Sequence, residues 1–446
     1  MPDEHPDPNL TPQLPREAIH RVVEPLVRFL HVEALSGVVL LAAGVTAIVL
    51  ANSPVSSQFL SFWKTEVSLS FGSFEFRHSL KHLINDGLMV IFFFVIGMEV
   101  KRELVVGELR DLRRAAFPMV GAVGGMVVPA ALFLALEMGQ PGQRGWGIPM
   151  ATDIAFVVGC LAVLGSRVPH TLRVTLLSLA IADDIGAILV IAIGYTDDIS
   201  VTWLIIGLAG LAVCLALSRL GVRSFAVYTA LGVFIWFAFH ESGVHATIAG
   251  VLLGLMTPVR SYVSPGLFSD ILCRAKRVIQ GEWETAPHRA ESVRQFRHAA
   301  RETISPLEYL ESALHPWVAF VIMPLFALAN AGVPIDLSDI DSRLTMAVML
   351  GLVVGKPLGI GLTCWLAVKI GLARLPQGLG WGAIIGGGFL CGIGFTMALF
   401  ITELALGEDL VASAKIGVLA GSVLSAVLAM ALLLAVLPRS ADRADG

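Results

Sequence analysis

Charge is what this chain has least of. Asp, Glu, Lys and Arg make up only 15% of its 446 residues, against about a quarter in a soluble domain. A fold of this length facing water on all sides would need more polar surface than that. Paired cysteines are missing too. Cys160, Cys214, Cys273, Cys364 and Cys391 are scattered with no CxxC spacing, and four of them sit inside apolar runs, as small buried thiols do rather than metal ligands or disulfide halves. No secretory leader is expected either: Met1 to His20 is acidic and proline-rich, with no basic start running into an apolar stretch, and it reads as a tail. The formal charge of −4 says little, because its distribution matters more than its total.

What the chain does have is apolar sequence, 56% of all residues, gathered into runs of roughly 16 to 22 that match a hydrocarbon core of about 30 Å. About twelve runs, several of them shorter or interrupted by Gly and Pro, are expected to span a membrane: Leu35–Leu50, Leu83–Val100, Ala116–Ala135, Trp146–Leu164, Leu172–Ile193, Val201–Leu217, Ser224–Phe239, Ala246–Met256, Pro316–Ala329, Thr345–Leu366, Trp381–Phe400 and Ile416–Leu437. Only helices or closed barrels satisfy backbone groups in lipid, and runs this long without alternation exclude a barrel. The fold class is an all-α integral membrane protein.

Lys and Arg set the orientation. With the N-terminus inside, about 24 of the 31 basic residues fall on the cytoplasmic side, whereas Lys64, Arg77, Lys81, Arg144, Arg343 and Lys415 fall outside and Lys356 lies within a span. Both termini are therefore expected in the cytoplasm. The division is a tail over 1–33, one transporter domain over 34–438 and a second tail over 439–446. Within the domain, a cytoplasmic loop covers 259–314 and a small extracytoplasmic β-hairpin covers 65–77. The hairpin signal is Val67, Leu69 and Phe71, then Phe74 and Phe76, alternating with polar residues around Gly72-Ser73. An isolated hairpin is marginal in water, and two pairing edge to edge would make a homodimer.

Ionisable side chains at membrane depth cost several kcal/mol and mark function. Four stand out: Asp153 in Met150-Ala151-Thr152-Asp153, the adjacent Asp183 and Asp184 in Ile181-Ala182-Asp183-Asp184-Ile185, and Lys356 in Gly355-Lys356-Pro357. Neighbouring helical residues point about 100° apart, so one aspartate lines a cavity while the other turns to a neighbour. Carboxylates sharing a low-dielectric site resist joint ionisation, and a small hard cation prefers oxygen ligands. Protons and cation then compete for the same oxygens, and alternating access turns that competition into exchange. Lys356 is either a fixed partner of Asp183 or a second proton carrier released when a cation breaks the pair, and the two roles can coexist.

Pro149 before Asp153, and Gly386-Gly387-Gly388 with Gly392-Ile393-Gly394, permit two spanning helices to break midway, at matching places in what reads as an inverted repeat. Broken ends expose helix dipoles, which Asp153 would compensate at the N-terminal ends and Lys356 at the C-terminal ends; direct ion contact is the other reading for Asp153. Glu99, Arg102 and Glu103 have i, i+3 and i, i+4 spacing on one helix face, as a solvated salt-bridge network does. His245 reads as a hydrogen-bonded interfacial residue that could titrate near neutral pH, and His315, before Pro316, as a packing or capping residue at a helix start.

At these residues the sequence resembles the NhaA-type sodium/proton antiporter family. The matching strings, in order, are Leu83-Ile84-Asn85-Asp86, Gly97-Met98-Glu99-Val100-Lys101-Arg102-Glu103-Leu104, Ala151-Thr152-Asp153-Ile154-Ala155-Phe156, Gly165-Ser166-Arg167-Val168-Pro169, Asp183-Asp184-Ile185-Gly186-Ala187-Ile188, Ser242-Gly243-Val244-His245-Ala246-Thr247, His315-Pro316-Trp317-Val318-Ala319, Gly355-Lys356-Pro357-Leu358-Gly359 and Cys391-Gly392-Ile393-Gly394-Phe395-Thr396. The resemblance implies a pH-regulated, electrogenic exchange of Na+ or Li+ for H+ across a bacterial inner (plasma) membrane, by twelve helices of which two are broken and crossed. It implies that Asp183 and Asp184 hold the ion, that Asp153 and Thr152 sit at the broken helix and that Lys356 is the partner base. It further implies a pH-sensing or gating cluster of Glu99, Arg102, Glu103 and Glu311, with His245 as a further candidate, and a supporting role for Asp86. Ser312 stands where some members carry histidine, and the loop before it is longer and more Arg-rich than usual; both departures lie in the sensor region.

No cofactor, no resident metal beyond the transported ion and no nucleic-acid partner is expected. An intramembrane aspartic protease would call for Gly-x-Gly-Asp, but Ile181-Ala182 precede Asp183, so an enzyme is not expected. A channel would need a continuous lined pore. A proton-coupled carrier of another solute is the remaining alternative, and it would need a larger polar cavity.

Overall fold

Apolar stretches without two-residue alternation form helices along the whole chain. The computed structural model describes residues 33–437, apart from 72–73, 197–198, 223, 262–265, 268, 274–293, 295–302, 336–338 and 340. Both expected tails and most of the basic loop expected over 259–314 lie outside the described residues. The elements are α1 (Glu33–Ala51), α2 (Ser56–Trp63), β1 (Glu66–Phe71), β2 (Phe74–Ser79), α3 (Leu80–Val105) and α4 (Leu112–Glu137). They continue with the 3-10 helix α5 (Pro141–Met150), α6 (Ile154–Leu164), α7 (His170–Gly194), α8 (Val201–Arg219), α9 (Phe225–Glu241) and α10 (Thr247–Met256). The last five are α11 (Pro306–Asn330), α12 (Arg343–Lys369), α13 (Trp381–Cys391), α14 (Phe395–Ala405) and α15 (Glu408–Val436).

Every expected run falls on a helix. Seven of these are long and apolar enough to cross a membrane unaided, and three bent pairs raise the number to ten. α9 and α10 are apolar but shorter, so length and composition alone do not bring the described helices to twelve. Large apolar side chains that face outward, such as Val45, Val163, Ile193, Ile205, Leu362 and Val423, ring the helices as lipid-facing residues do and as a soluble surface rarely does.

Three helices run further than the sequence pattern suggested. α11 begins at Pro306, nearly three turns before the expected start at Pro316. Ser305 accepts from Glu308 N while Glu308 accepts from Ser305 N, a reciprocal capping box with proline at the first turn. His315 is therefore inside the helix rather than at its start. α15 begins at Glu408 rather than Ile416, because Lys415 is paired and buried instead of facing water. α3 begins at Leu80, directly after the hairpin.

Wide π turns interrupt α3 at Leu83–Leu88, α11 at Val318–Ile322 and α12 at Gly351–Gly355. In the last two a proline follows closely, Pro324 and Pro357. Its ring removes a donor and crowds the carbonyl one turn back, and the widened turn relieves both. The second of these turns delivers Lys356.

Lipid tails are as apolar as leucine, so helix association rests on close backbone approach. α12 meets α4 at Gly359, where an added Cβ would collide with the carbonyl of Gly124. Gly359→Val is expected to wedge these helices apart and lower the thermal midpoint by several degrees, since overpacking costs about 1–3 kcal/mol. A thermal scan of the detergent-solubilised variant that overlays the parent's would remove this contact from the account.

The hairpin is present, antiparallel, with Val67 opposite His78 and Leu69 opposite Phe76. Its strands run to Ser79, two residues past the expected end, and its tip, Gly72-Ser73, lies outside the described residues.

Candidate ion site

Two interrupted helices touch at their breaks, and the buried charges gather there. α5 and α6 bend by 42° across Ala151–Asp153, and α13 and α14 by 47° across Gly392–Gly394. Asp153 N donates to Ile393 O at 2.7 Å and Thr152 Oγ1 to Cys391 O at 2.8 Å, so each break satisfies the other's backbone. The Asp153 carboxylate caps two helices at once. Oδ1 accepts from Phe156 N in the first turn of α6 at 3.3 Å, and Oδ2 accepts from Thr396 N at 3.0 Å and from Thr396 Oγ1 in α14. A single negative group thus meets two partial positive helix ends. On the C-terminal side, the Cys391 carbonyl is met by Thr152, whereas Lys356 donates to Asp183.

The aspartates of α7 diverge as their spacing requires. Asp183 Oδ2 accepts from Lys356 Nζ at 2.6 Å, with the two side chains only 1% and 0% exposed. Asp183 Oδ1 is shut off from solvent and has no hydrogen-bond partner among the described residues. Asp184 turns the other way, onto a cavity of about 1420 Å³ that Thr152, Asp153, Ser178 and Thr396 also line. That cavity reaches the surface past the exposed Arg110, Arg113 and Arg114. Lys356 and Asp183 do not line it.

An aqueous route therefore ends on carboxylate and hydroxyl oxygens. Thr152 spends its proton on Cys391 O, which leaves its oxygen as an acceptor beside Asp153 and Asp184. Such a set suits a small hard cation, and each carboxylate could hold a proton instead.

Near the cavity mouth, Arg102 of α3 pairs with Glu311 of α11. Glu103 accepts from Glu108 N at 3.0 Å and from Ser178 Oγ at 3.2 Å, and Glu99 lines the wall. The four sensor candidates on α3 and α11 thus come together, and Ser312 and His315 lie along the same cavity. His245 is elsewhere. It precedes α10, with Nε2 2.7 Å from Tyr195 O at the end of α7.

Asp86 is also remote, in the π turn at the hairpin end of α3. Its Oδ2 lies 3.2 Å from His82 Nε2 and 3.8 Å from His240 Nδ1, and its carbonyl accepts from Trp236 Nε1 at 3.2 Å. Burial, helped by the neighbouring His82 and His240, holds the His78 imidazole beside them below its ordinary pKa.

Sequence reasoning overlooked several groups. Thr396 gives both its N–H and its hydroxyl to Asp153, although it closes a motif already noted. Glu403 accepts from Lys81 at 2.7 Å and from Lys415, which is only 4% exposed, although both lysines had been assigned to outer loops. A glutamate in the apolar run Phe400-Ile401-Thr402-Glu403 was a visible signal of a buried charge, whereas its partner 322 residues away was not. Asn85 and Asn330 form a buried reciprocal amide pair between α3 and α11.

Residues 27–433 match the family described as Na+/H+ antiporter 1. The chain is 56% identical over 427 residues to the Na(+)/H(+) antiporter NhaA of Rhodopirellula baltica, covering 96% of this chain and 97% of that protein. It is 51% identical to the Na(+)/H(+) antiporter NhaA 2 of Acidiphilium cryptum, covering 98% of each. Against the Na(+)/H(+) antiporter NhaA of Rhizobium meliloti it is 51% identical over 93% of this chain and 95% of that one.

Proposed function

The chain belongs to the Na+/H+ antiporter 1 family and is a multi-pass sodium/proton antiporter; from that premise we propose how its residues carry the exchange. The observation that carries the reading is the split between Asp184, at the end of a water-accessible cavity, and Asp183, locked to Lys356 behind it. Na+ or Li+ arriving along the cavity takes the oxygens of Asp184 and Asp183, with Asp153 and Thr152 at the broken helix beside them, and displaces protons from the site. As the cation claims Asp183, the pair with Lys356 opens and the lysine sheds a proton. More than one proton can then leave per cation, which makes the exchange electrogenic.

The remaining parts follow the same logic. Twelve spans in two inverted halves move about the crossed breaks, with both termini in the cytoplasm of a bacterial plasma membrane. Glu99, Arg102, Glu103 and Glu311 set the pH response at the cavity mouth, and Asp86 supports the outer end of α3. Two copies join through their hairpins, whose outer strand edges are free to pair.

In sealed vesicles of reconstituted protein, added Na+ or Li+ should collapse an imposed proton gradient. An imposed membrane potential should change the rate. Collapse that ignores the potential would overturn the electrogenic part. Arg102→Ala removes the charge opposite Glu311 and should displace the pH profile of exchange without abolishing its maximum. A profile superimposable on the parent's would take the pair out of regulation.

A further inference from the structure

The hairpin end of the molecule holds a cluster that the exchange chemistry does not use. His78 is the last residue but one of β2, His82 stands in the first turn of α3 and His240 lies in the last turn of α9. One ring nitrogen from each lies within 4.8 Å of the other two. His78 stacks on His82 with centroids 4.3 Å apart, and His240 meets both edge-on at 5.5 and 5.8 Å. We propose that His78, His82 and His240, with the Asp86 carboxylate as fourth ligand, form a binding site for a divalent transition-metal ion of the Zn2+ class.

Ligand chemistry favours that class. Imidazole nitrogens suit Zn2+, Co2+, Ni2+ and Cu2+ and are poor ligands for Mg2+ or Ca2+, which want oxygen. Three histidines and one carboxylate make a four-coordinate set, and bonds of about 2.0–2.1 Å would hold the ligand atoms roughly 3.3 Å apart. The Asp86 oxygen is already 3.2 Å from His82 Nε2 and 3.8 Å from His240 Nδ1. To bind, the nitrogens would close from as much as 4.8 Å, and the stacked rings of His78 and His82 would turn until their lone pairs converge.

The cluster is also built rather than incidental. His82 Nε2 is shut off from solvent yet makes no hydrogen bond among the described residues, although a carboxylate oxygen is within reach. A bound cation would satisfy that atom. His82 and Asp86 are four residues apart on one helix face, which is ligand spacing. The π turn at Leu83–Leu88 carries Asp86, and Trp236 both stacks on His240 and donates to the Asp86 carbonyl, which fixes α9 against α3 at this point. The ligands come from three elements, so an ion here would staple the hairpin to the ends of two helices.

Full-length protein carrying no polyhistidine tag, held in lipid nanodiscs and stripped with chelator, is titrated with Co2+ as a visible probe and then with Zn2+. The expected result is saturable uptake of one Co2+ per chain with the intense d–d absorption of a tetrahedral site, bleached by Zn2+. His82→Asn and His240→Asn should each weaken binding by about tenfold or more, as loss of a ligand does at least as strongly as loss of its support. Zn2+ should raise the melting temperature of the parent and not that of the triple variant His78→Gln, His82→Asn, His240→Asn. Absence of saturable Co2+ binding to the folded parent would overturn the proposal. So would binding that survives these substitutions unchanged, because the ion would then be held elsewhere.

Discussion

Asp184→Asn is expected to reduce sodium-dependent proton movement in reconstituted vesicles by about 100-fold or more, the scale on which an uncompensated change at a buried charge acts. The amide keeps the size of the carboxylate, so the packing of α7 should survive and the melting temperature should stay near the parent's. What disappears is a full negative charge at the end of the cavity and the ability to exchange a proton for a cation there. In the proposed exchange both halves use the same oxygens, so they should fail together. A variant that folds normally and still dissipates the gradient at the parental rate would remove Asp184 as a ligand.

Lys356→Ala should act through stability first. The ammonium is fully buried and lies 2.6 Å from the Asp183 carboxylate. Its removal leaves a charge in a dry interior, and breaking a buried pair from one side costs about 3–5 kcal/mol. A melting temperature lower by several degrees follows, with a changed pH profile of any remaining exchange. The double variant Asp183→Asn, Lys356→Ala separates charge from packing, because it removes the orphaned carboxylate. It should recover much of the lost stability and none of the transport. Unchanged melting together with an unchanged profile in Lys356→Ala would take the lysine out of the mechanism.

Much of the site was legible before any coordinates, because charge is scarce in this chain. Three aspartates and a lysine inside apolar runs announce themselves against a 56% apolar background, and the one-residue offset of Asp183 and Asp184 on a helix dictates that they diverge. The breaks were legible from Pro149, which cannot donate to a helix, and from Gly392 and Gly394, which hold a helix weakly and let other backbone approach closely. Long-range contact was not. The reciprocal satisfaction of the two breaks by Thr152, Asp153 and Thr396, residues about 240 positions apart, leaves no local periodic trace. Lys81 and Lys415 were misplaced for the same reason: a lysine reads as solvated until its buried partner, Glu403, is known. His315-Pro316 looked like a helix start because proline is common there, yet the capping box at Ser305 starts the helix at Pro306 and it runs through Pro316. The three histidines at the hairpin end are separated by up to 162 residues and meet only in the fold.

Asp86 illustrates how the two kinds of information combine. Its string, Leu83-Ile84-Asn85-Asp86, marked a supporting residue at the end of a span. The structure adds three imidazoles and an indole around it, which no spacing rule anticipates. The same helix carries Glu99, Arg102 and Glu103 at its far end, so α3 joins the histidine cluster to the cavity mouth over its 26 residues.

The most direct test is the apparent Na+ affinity of the purified antiporter, measured by calorimetry or by charge displacement on a supported membrane from about pH 6 to about pH 8.5. If protons and Na+ contend for the Asp184 and Asp183 oxygens, affinity should weaken toward acid, approaching about tenfold per pH unit for each proton displaced. An affinity that stays flat across that range would mean that the carboxylates do not exchange one ion for the other.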